Sequence, residues 1–428
     1  MTWFRFVCLA QLISRMGSEL SGFALGVWFY RRTGLISASS LFIAATAVPQ
    51  LALAPLAGVL IDRSGRRPVL VAGHLAAGAL GLGMFALFST GRADIVAATL
   101  LIAAASALRA GEVPALSALT TELTRPEERN RANGLSSLTY AVPQLAAPVL
   151  AGWWLDRIGV HALLALDAAT FVIAAIILAA LPLPRASAAQ PAPMSRRRGV
   201  GQLLAGWDHI RARPLLLWLT AFLALMKWNG GMLLVLITPF ALGFADARRL
   251  GAIRSGAGLG MMLGAACVAL GLAPARHLYA VLCGAALQGV LLILLGLRPS
   301  VPIAMVTTFL MLFCTPVMVS ANESIWQGQV PLALQGRVLS FRGFIAGAAL
   351  PLALVAAGPL ADVVFARLGG AGPLLATLGG STLLVAGIAL LHPAARATFA
   401  LGAGGNPAEK EPARCRGQAC TCSCCCRT

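Results

Sequence analysis

The chain has 428 residues and a formal net charge of +18, yet 58% of it is apolar and only 11% is charged. A water-soluble fold cannot hide that much apolar surface, so the composition excludes an ordinary soluble enzyme and makes lipid the natural solvent. The hydrocarbon core of a bilayer is about 30 Å thick and is crossed by roughly 20 apolar residues in a helix.

Runs of that length occupy 4–30, 37–60, 68–88, 95–119, 135–155 and 162–181, then 214–241, 251–272, 278–297, 301–320, 343–365 and 372–391. They predict an all-α polytopic membrane protein with twelve transmembrane helices. The first run is too long for a secretory signal and lacks a small-residue cleavage site, so it is expected to stay as a helix. Glycine and alanine inside the runs let helix backbones approach closely, which is how helices associate in lipid.

Between 181 and 214 the composition turns to Pro, Ala, Ser and Arg, the signature of a linker. Its downstream part carries Leu203, Leu204, Trp207 and Ile210 at helical spacing, which predicts an amphipathic helix on the membrane face. The expected organisation is a six-helix bundle over 1–182, a cytoplasmic linker over 183–213, a second six-helix bundle over 214–392, and a disordered tail over 393–428. A shift of 206 residues places Arg131 on Arg337, Ala151 on Ala357, Gly152 on Gly358 and Asp156 on Asp362. Such an internal repeat fits two pseudo-symmetric bundles with a binding site between them near the bilayer midplane. The element Ala-Gly-x-x-x-Asp recurs at Gly58 and Asp62, Gly152 and Asp156, and Gly358 and Asp362. Each copy sets a close-packing notch one turn before a carboxylate.

Charge placement orients the chain. With the N-terminus in the cytoplasm, 21 Lys and Arg residues fall on the cytoplasmic side and 8 on the other, while Arg15, Arg109, Lys227 and Arg254 lie inside helices. This is the positive-inside bias, so both termini are expected in the cytoplasm and the basic surplus is not a nucleic-acid footprint.

The stretch GVLIDRSGRRPVL, with Gly58, Asp62, Arg63, Gly65, Arg66 and Arg67, resembles the loop between helices two and three of the major facilitator superfamily. In that family the loop is a cytoplasmic gating cluster that latches the halves and releases during alternating access. Local chemistry agrees, since a carboxylate beside several guanidinium groups makes charge-assisted bonds and Gly65 permits the turn. Further stretches, QLISRMGSELSGFALGVWFYRRTG, ERNRANGL and IWQGQVPLALQGRV, are similar to the branch containing macrolide-efflux and siderophore-export proteins. The resemblance runs from about Phe4 to Leu391. It implies the two-bundle facilitator fold and a helix-five antiporter motif, here reduced from Gly-Pro-x-x-Gly-Gly to Ala147, Pro148, Ala151 and Gly152.

An ionisable group at bilayer depth costs several kcal/mol, so each one calls for a partner or a function. Arg15 and Glu19 stand four apart on one helical face and can pair. Alternatively, Glu19 faces the central cavity and exchanges a proton in competition with a cationic or polar substrate. Arg109 and Glu112 form a second pair just before Pro114, which kinks or ends the helix there. Arg109 resembles the family's buried helix-four arginine, thought to tune the proton-bearing acid; a structural pair is the other reading. Lys227, Asn229, Asn322 and Glu323 are the cavity candidates of the second half. Trp28, Tyr30, Trp153, Trp154, Trp218 and Trp326 fall near span ends, where they anchor at the interface.

No phosphate-binding glycine loop is present, and the five histidines are scattered singly, so neither ATP nor a metal drives the chemistry. Six cysteines crowd into 415–426, but no histidine accompanies them and their spacing matches no closed zinc site. No cofactor is expected, and the lack of a nucleophile with a base at workable spacing speaks against an enzyme. The chain reads as a secondary exporter in a bacterial inner membrane. It would exchange protons for a small amphipathic compound such as a drug, macrolide, siderophore or peptide metabolite, act as a monomer, and have substrate, protons and lipid as its partners. The rival readings are an uptake permease and a non-transporting sensor or scaffold on the same fold.

Overall fold

The computed structural model describes residues 2–125, 128–181, 207, 210–272, 274, 276–330 and 332–391; among them there are helices and short turns and no strand. The helices are α1 Thr2–Thr33, α2 Ile36–Ser64, α3 Arg66–Ser89, α4 Ile95–Leu108, α5 Glu112–Leu123 and α6 Arg129–Ala180 in the first half. The second half has α7 Pro214–Leu242, α8 Ala247–Ala269, α9 His277–Leu297, α10 Val301–Gln329, α11 Leu332–Pro359 and α12 Ala371–Leu391. A π-helical turn, Leu360–Val364, continues α11. The Cys-rich tail and most of the linker helix expected over 200–213 lie outside the described residues.

Ten segments are long and apolar enough to cross a bilayer. One of them, 134–180, is too long for a single crossing and is broken at Gly159, whose φ of 76° and ψ of 171° are non-helical. That left-handed φ is open to glycine without penalty. Taking 129–158 and 160–180 separately, and α4 with α5 as one interrupted rod, gives twelve rods. The first, α1, is not among the ten because Arg5, Arg15, Glu19, Arg31 and Arg32 dilute its apolar content.

The break between α4 and α5 falls at residues 109–111, ahead of Pro114 where the sequence suggested it. Proline lacks an N–H and its ring clashes with the carbonyl four residues back, so the helix ends before that carbonyl and restarts with Pro114 in its first turn. The second half has no such break. Subtracting 206 from the ends of α10 gives 95 and 123, the outer ends of α4 and α5. The internal repeat is therefore a structural one, with an interrupted helix matched to a continuous one.

The core shows how the halves meet. At the end where α1 passes into α2, one apolar cluster joins Phe23, Ala24, Val27, Ala151 and Leu155 of the first half to Leu236, Ala241, Leu250 and Ala357 of the second. At the opposite end each half keeps its own cluster, Phe4, Leu70, Leu119 and Leu178 in one and Ile210, Leu216, Trp326 and Val338 in the other. The two bundles are thus sealed together at one end and separate at the other. Trp326, expected as an interfacial anchor, is instead fully buried in its own half's cluster.

The seal is built from the recurring glycine notches. A Cβ on Gly152 would lie 2.7 Å from the Ala247 carbonyl oxygen, and Gly251 faces the Pro148 carbonyl across the same contact of α6 with α8. On the other side of the molecule α2 meets α11. There Gly358 sits against Ser37 and Ser40, and Ser40 donates to the Leu354 carbonyl. Asp362 then accepts from the Ile36 amide at 3.1 Å and from the Ser37 amide and hydroxyl at 2.7 Å, capping α2 from the other half. Its mirror, Asp156, pairs instead with Arg31 of its own half at 3.4 Å.

Candidate functional site

Between the halves lies a cavity of about 540 Å³, within the ~300–1,000 Å³ that holds a drug-sized molecule. The first half lines it with Arg15, Glu19 and Phe23 from α1, Phe42, Thr46 and Gln50 from α2, Arg109, and Tyr140 and Gln144 from α6. The second half contributes Leu234 and Thr238 from α7 and Arg254 and Met261 from α8. Aromatic faces beside guanidinium groups make the wall amphipathic: Arg15 lies 3.6 Å from the Tyr140 ring centroid and Arg254 5.8 Å from that of Phe23.

Glu19 makes no ion pair within 4 Å among the described residues, so of its two readings the pair with Arg15 is not formed. The i,i+4 spacing permits that pair, but Arg15 turns to a second carboxylate, Glu112, at 3.9 Å. Glu19 instead faces the cavity, where its charge acts on Arg254 and Arg109 from a distance. Arg254 has neither hydrogen bond nor ion pair among the described residues. The two are therefore the cavity's available charges, one from each half.

Glu112 is the hub of a buried cluster. It binds Arg109 at 3.1 Å, as the local sequence predicted, and it lies 3.5 Å from His74 Nε2 on α3. The helix break brings this about: residues 109–111 leave the helical path, so Arg109 and Glu112 converge from the two sides of the turn. Arg109 also donates to the Ser18 hydroxyl at 3.1 Å. Ser18 and Ser21 in turn donate to Asp167 of α6, at 3.3 and 2.6 Å. Asp167 lines a smaller cavity of about 130 Å³ enclosed by the first half, together with Arg109 and Phe171. Sequence reasoning missed both Asp167 and His74. The available signal was a lone aspartate inside the apolar run 162–181 and a lone histidine inside 68–88.

The second half has a matching cavity of about 140 Å³ without a charged group, lined by Asn229, Gln288, Thr315, Asn322 and Thr382 among apolar side chains. Asn229 donates to the Thr382 hydroxyl at 2.7 Å, and Gln288 to the Thr315 hydroxyl at 3.0 Å. Asn229 and Asn322 are thus cavity residues, but of this side pocket and not of the central one. Glu323 lines neither; it pairs with Arg342 within its own half. Lys227 is exposed and lines no cavity of the three. It lies seven residues before Leu234 and eleven before Thr238, hence on the same helical face, about 10 Å nearer the separated end at 1.5 Å per residue.

In the loop at Gly58 to Arg67, Arg66 and Arg67 bond within the first half. Gly65, at φ 84°, is the single residue between α2 and α3, Arg66 pairs with Glu122, and Arg67 donates to the Ala179 carbonyl. The side chains of Asp62 and Arg63 lie outside the described residues. The expected latch between halves is therefore not made by Arg66 or Arg67 here, and the cross-half bonds lie at the opposite end. Pro148, Ala151 and Gly152 of the helix-five motif do sit on the seam, against α8.

Comparison with known proteins fits this architecture. The sequence model of the Major Facilitator Superfamily matches residues 7–353. Macrolide efflux protein A of Streptococcus pyogenes is 22% identical over 378 residues, covering 84% of this chain and 89% of that one. The uncharacterized MFS-type transporter YfiS of Bacillus subtilis (strain 168) is 23% identical over 230 residues, 54% of this chain and 51% of its own. Among solved structures, a bacterial homolog to the human lysosomal transporter Spinster, in an inward-facing and unoccupied conformation, superposes with a TM-score of 0.63 at 16% identity, covering 94% of this chain and 97% of that one. A bacterial metal transporter gives 0.61 at 15% identity, covering 95% and 99%. Two helical bundles sealed at one end around a central cavity, with a family match over most of the sequence, place this chain in the Major Facilitator Superfamily of polytopic membrane transporters.

Proposed function

We propose that the protein is a secondary exporter of a small amphipathic compound, working by alternating access and proton antiport, and that the structure is its inward-facing state. The observation that carries this is the central cavity, walled by both halves, with an available carboxylate and an available guanidinium facing each other. The positive-inside count supports a cytoplasmic position for the separated end and both termini. The sealed end then faces outward, and rocking of the two bundles about the cavity would exchange the open side.

Glu19 is the residue we assign to competition between proton and substrate. It is on the wall and has no ion pair among the described residues, so a cationic or polar group entering the cavity meets it directly. Arg109 links that wall to Asp167 through Ser18, giving a second carboxylate that responds to what Arg109 does. The similarity to macrolide efflux protein A supports export and an amphipathic cargo. Asp62 and the arginines beside it would re-form a latch across the halves once the cytoplasmic end closes. The count of twelve crossings, the boundaries at 182 and 213, the bacterial inner membrane and a monomeric working unit belong to the same reading.

The test is counterflow in proteoliposomes loaded with unlabelled macrolide, with a labelled macrolide added outside. Transient accumulation that a protonophore leaves intact shows exchange by the carrier, and accumulation against a gradient under an imposed proton gradient shows coupling. Binding of the probe without either movement would leave a sensor, not a transporter.

A further inference from the structure

Behind the cavity wall lies a contact that the export reading does not use. His74 and Glu112 are among the most buried polar residues of the chain, at 1% and 4% exposure. His74 Nδ1 lies 2.8 Å from the carbonyl oxygen of Leu70, one turn back on α3. A carbonyl can only accept, so Nδ1 carries a hydrogen. On the other edge of the ring, Nε2 lies 3.5 Å from Glu112 Oε1, and neither of these two buried atoms has a hydrogen-bond partner among the described residues.

A neutral imidazole has one donor nitrogen and one lone pair. With Nδ1 committed as donor, a bare Nε2 would confront a bare carboxylate oxygen 3.5 Å away, and unpaired buried polar atoms are costly. The other neutral tautomer only moves the conflict to Leu70. One added proton removes it, whether it resides on the ring or on the carboxyl, because donor then meets acceptor at both edges.

We infer that His74 and Glu112 together form a proton-binding site, set behind the cavity wall and joined to it by Arg15 and Arg109. The charged groups that face the pair are Arg15 from α1, Arg109 from the α4–α5 turn and, through Arg109, Asp167 from α6 and Glu19 from α1. With the site empty, two arginines stand against Glu112 and Asp167 and the cluster is balanced. Loading adds one positive charge to a buried site and weakens the hold of Glu112 on both arginines, which then turn toward the cavity and Glu19. Proton occupancy is in this way transmitted to the substrate wall. Only that last role rests on the proposed antiport; the proton site itself stands on the geometry of the pair.

The experiment reads the ring directly. The full-length chain in lipid bilayers, labelled with ring-15N histidine, has His161, His209, His277 and His392 replaced by glutamine, which leaves the cluster untouched. The nitrogen spectrum of His74 is then followed across the range in which imidazoles titrate. The expected result is a ring protonated at both nitrogens, or one with hydrogen on Nδ1 whose Nε2 accepts from protonated Glu112, converting at higher pH to a ring with hydrogen on Nδ1 and no hydrogen bond at Nε2. Glu112→Gln should abolish that conversion. A spectrum that does not change with pH overturns the site, as does a hydrogen fixed on Nε2 alone. Failed counterflow with this titration intact would remove the export reading and not the proton site, and the reverse pattern would do the opposite.

Discussion

Around the side cavity of the first half the buried polarity is held as charge, in His74, Glu112, Arg15, Arg109 and Asp167, whereas the side cavity of the second is lined by amides and hydroxyls, in Asn229, Gln288, Asn322, Thr315 and Thr382, and the buried Arg342 of that half is paired with Glu323 elsewhere. The frames match, for Arg109 and Thr315 stand 206 residues apart on helices whose ends share that register. The difference is what each half can respond to. Amides and hydroxyls satisfy one another within lipid and keep one state across the physiological range, while a buried charge cluster changes its balance with each proton it takes up. On the export reading proposed above, sensitivity to protons falls to one half, and the side cavity of the other keeps one protonation state as it moves.

Arg109 and Thr315 give the largest contrast. Arg109→Ala removes the nearest counter-charge of a carboxylate that is almost fully buried, and breaking one side of a buried pair typically costs about 3–5 kcal/mol. Thr315→Ala loses only the hydroxyl that accepts from Gln288, worth about 1 kcal/mol. Thermal unfolding in detergent should therefore show a large drop in midpoint for the first and a small one for the second. Equal drops would mean that the charge cluster is solvated and that the two halves do not differ in the sense argued.

Asp167→Asn sharpens the contrast at nearly constant volume. The amide oxygen still accepts from Ser21, but the ionisable group is gone. Proton-driven export should fall by about tenfold, equivalent to ~1.4 kcal/mol, and its pH dependence should shift, while exchange at equal pH on both sides persists. Asn229→Ala in the second half should leave the pH profile unmoved. A shifted profile in the second variant would assign coupling to both halves.

Much of this was legible in the sequence, and the part that was not has physical causes. Apolar runs fix helices in lipid because the backbone has no alternative partner there, so the frame was readable to within a turn at most ends. The exceptions were the start of α6 at 129 against 135, the end of α10 at 329 against 320 and the start of α11 at 332 against 343, where polar or charged stretches continue the helix beyond the apolar run. Arg109 and Glu112 were found as a pair because a separation of three residues is a local relation, near in space across the turn as it would be along a helix. The partners of Arg15 were not found. They depend on how α3, α5 and α1 converge around a broken helix, and no spacing along one helix encodes that. Asp167 and His74 were missed for the same reason, each being a single polar residue in an apolar run whose meaning comes only from its neighbours.

The seal at the outer end offers a smaller test. Gly152→Val would push a side chain into the Ala247 backbone, where a Cβ alone would already stand 2.7 Å from the carbonyl oxygen. Helix packing cannot absorb this without separating α6 from α8. The population should shift toward an outward-open form, read as a longer distance between spin labels on the outer ends of α6 and α8. An unchanged distance distribution would show that the seam is held elsewhere.

The smallest effect compares the two mirror aspartates directly. Asp362 caps α2 across the halves with two amides and a hydroxyl, and removing a helix cap costs about 1 kcal/mol. Because the cap exists only while the outer end is closed, that loss falls on one conformation, and Asp362→Ala should raise the outward-open fraction about fivefold. Asp156 occupies the matching register, but its partner Arg31 belongs to the same half and both side chains are about half exposed, at 56% and 50%. Exposed pairs contribute little, and this one is made in either conformation, so Asp156→Ala should leave the distance distribution where it was. If the two substitutions act alike, the asymmetry of the seal is not what holds the molecule closed on that side, and the shared glycine notches alone set the balance.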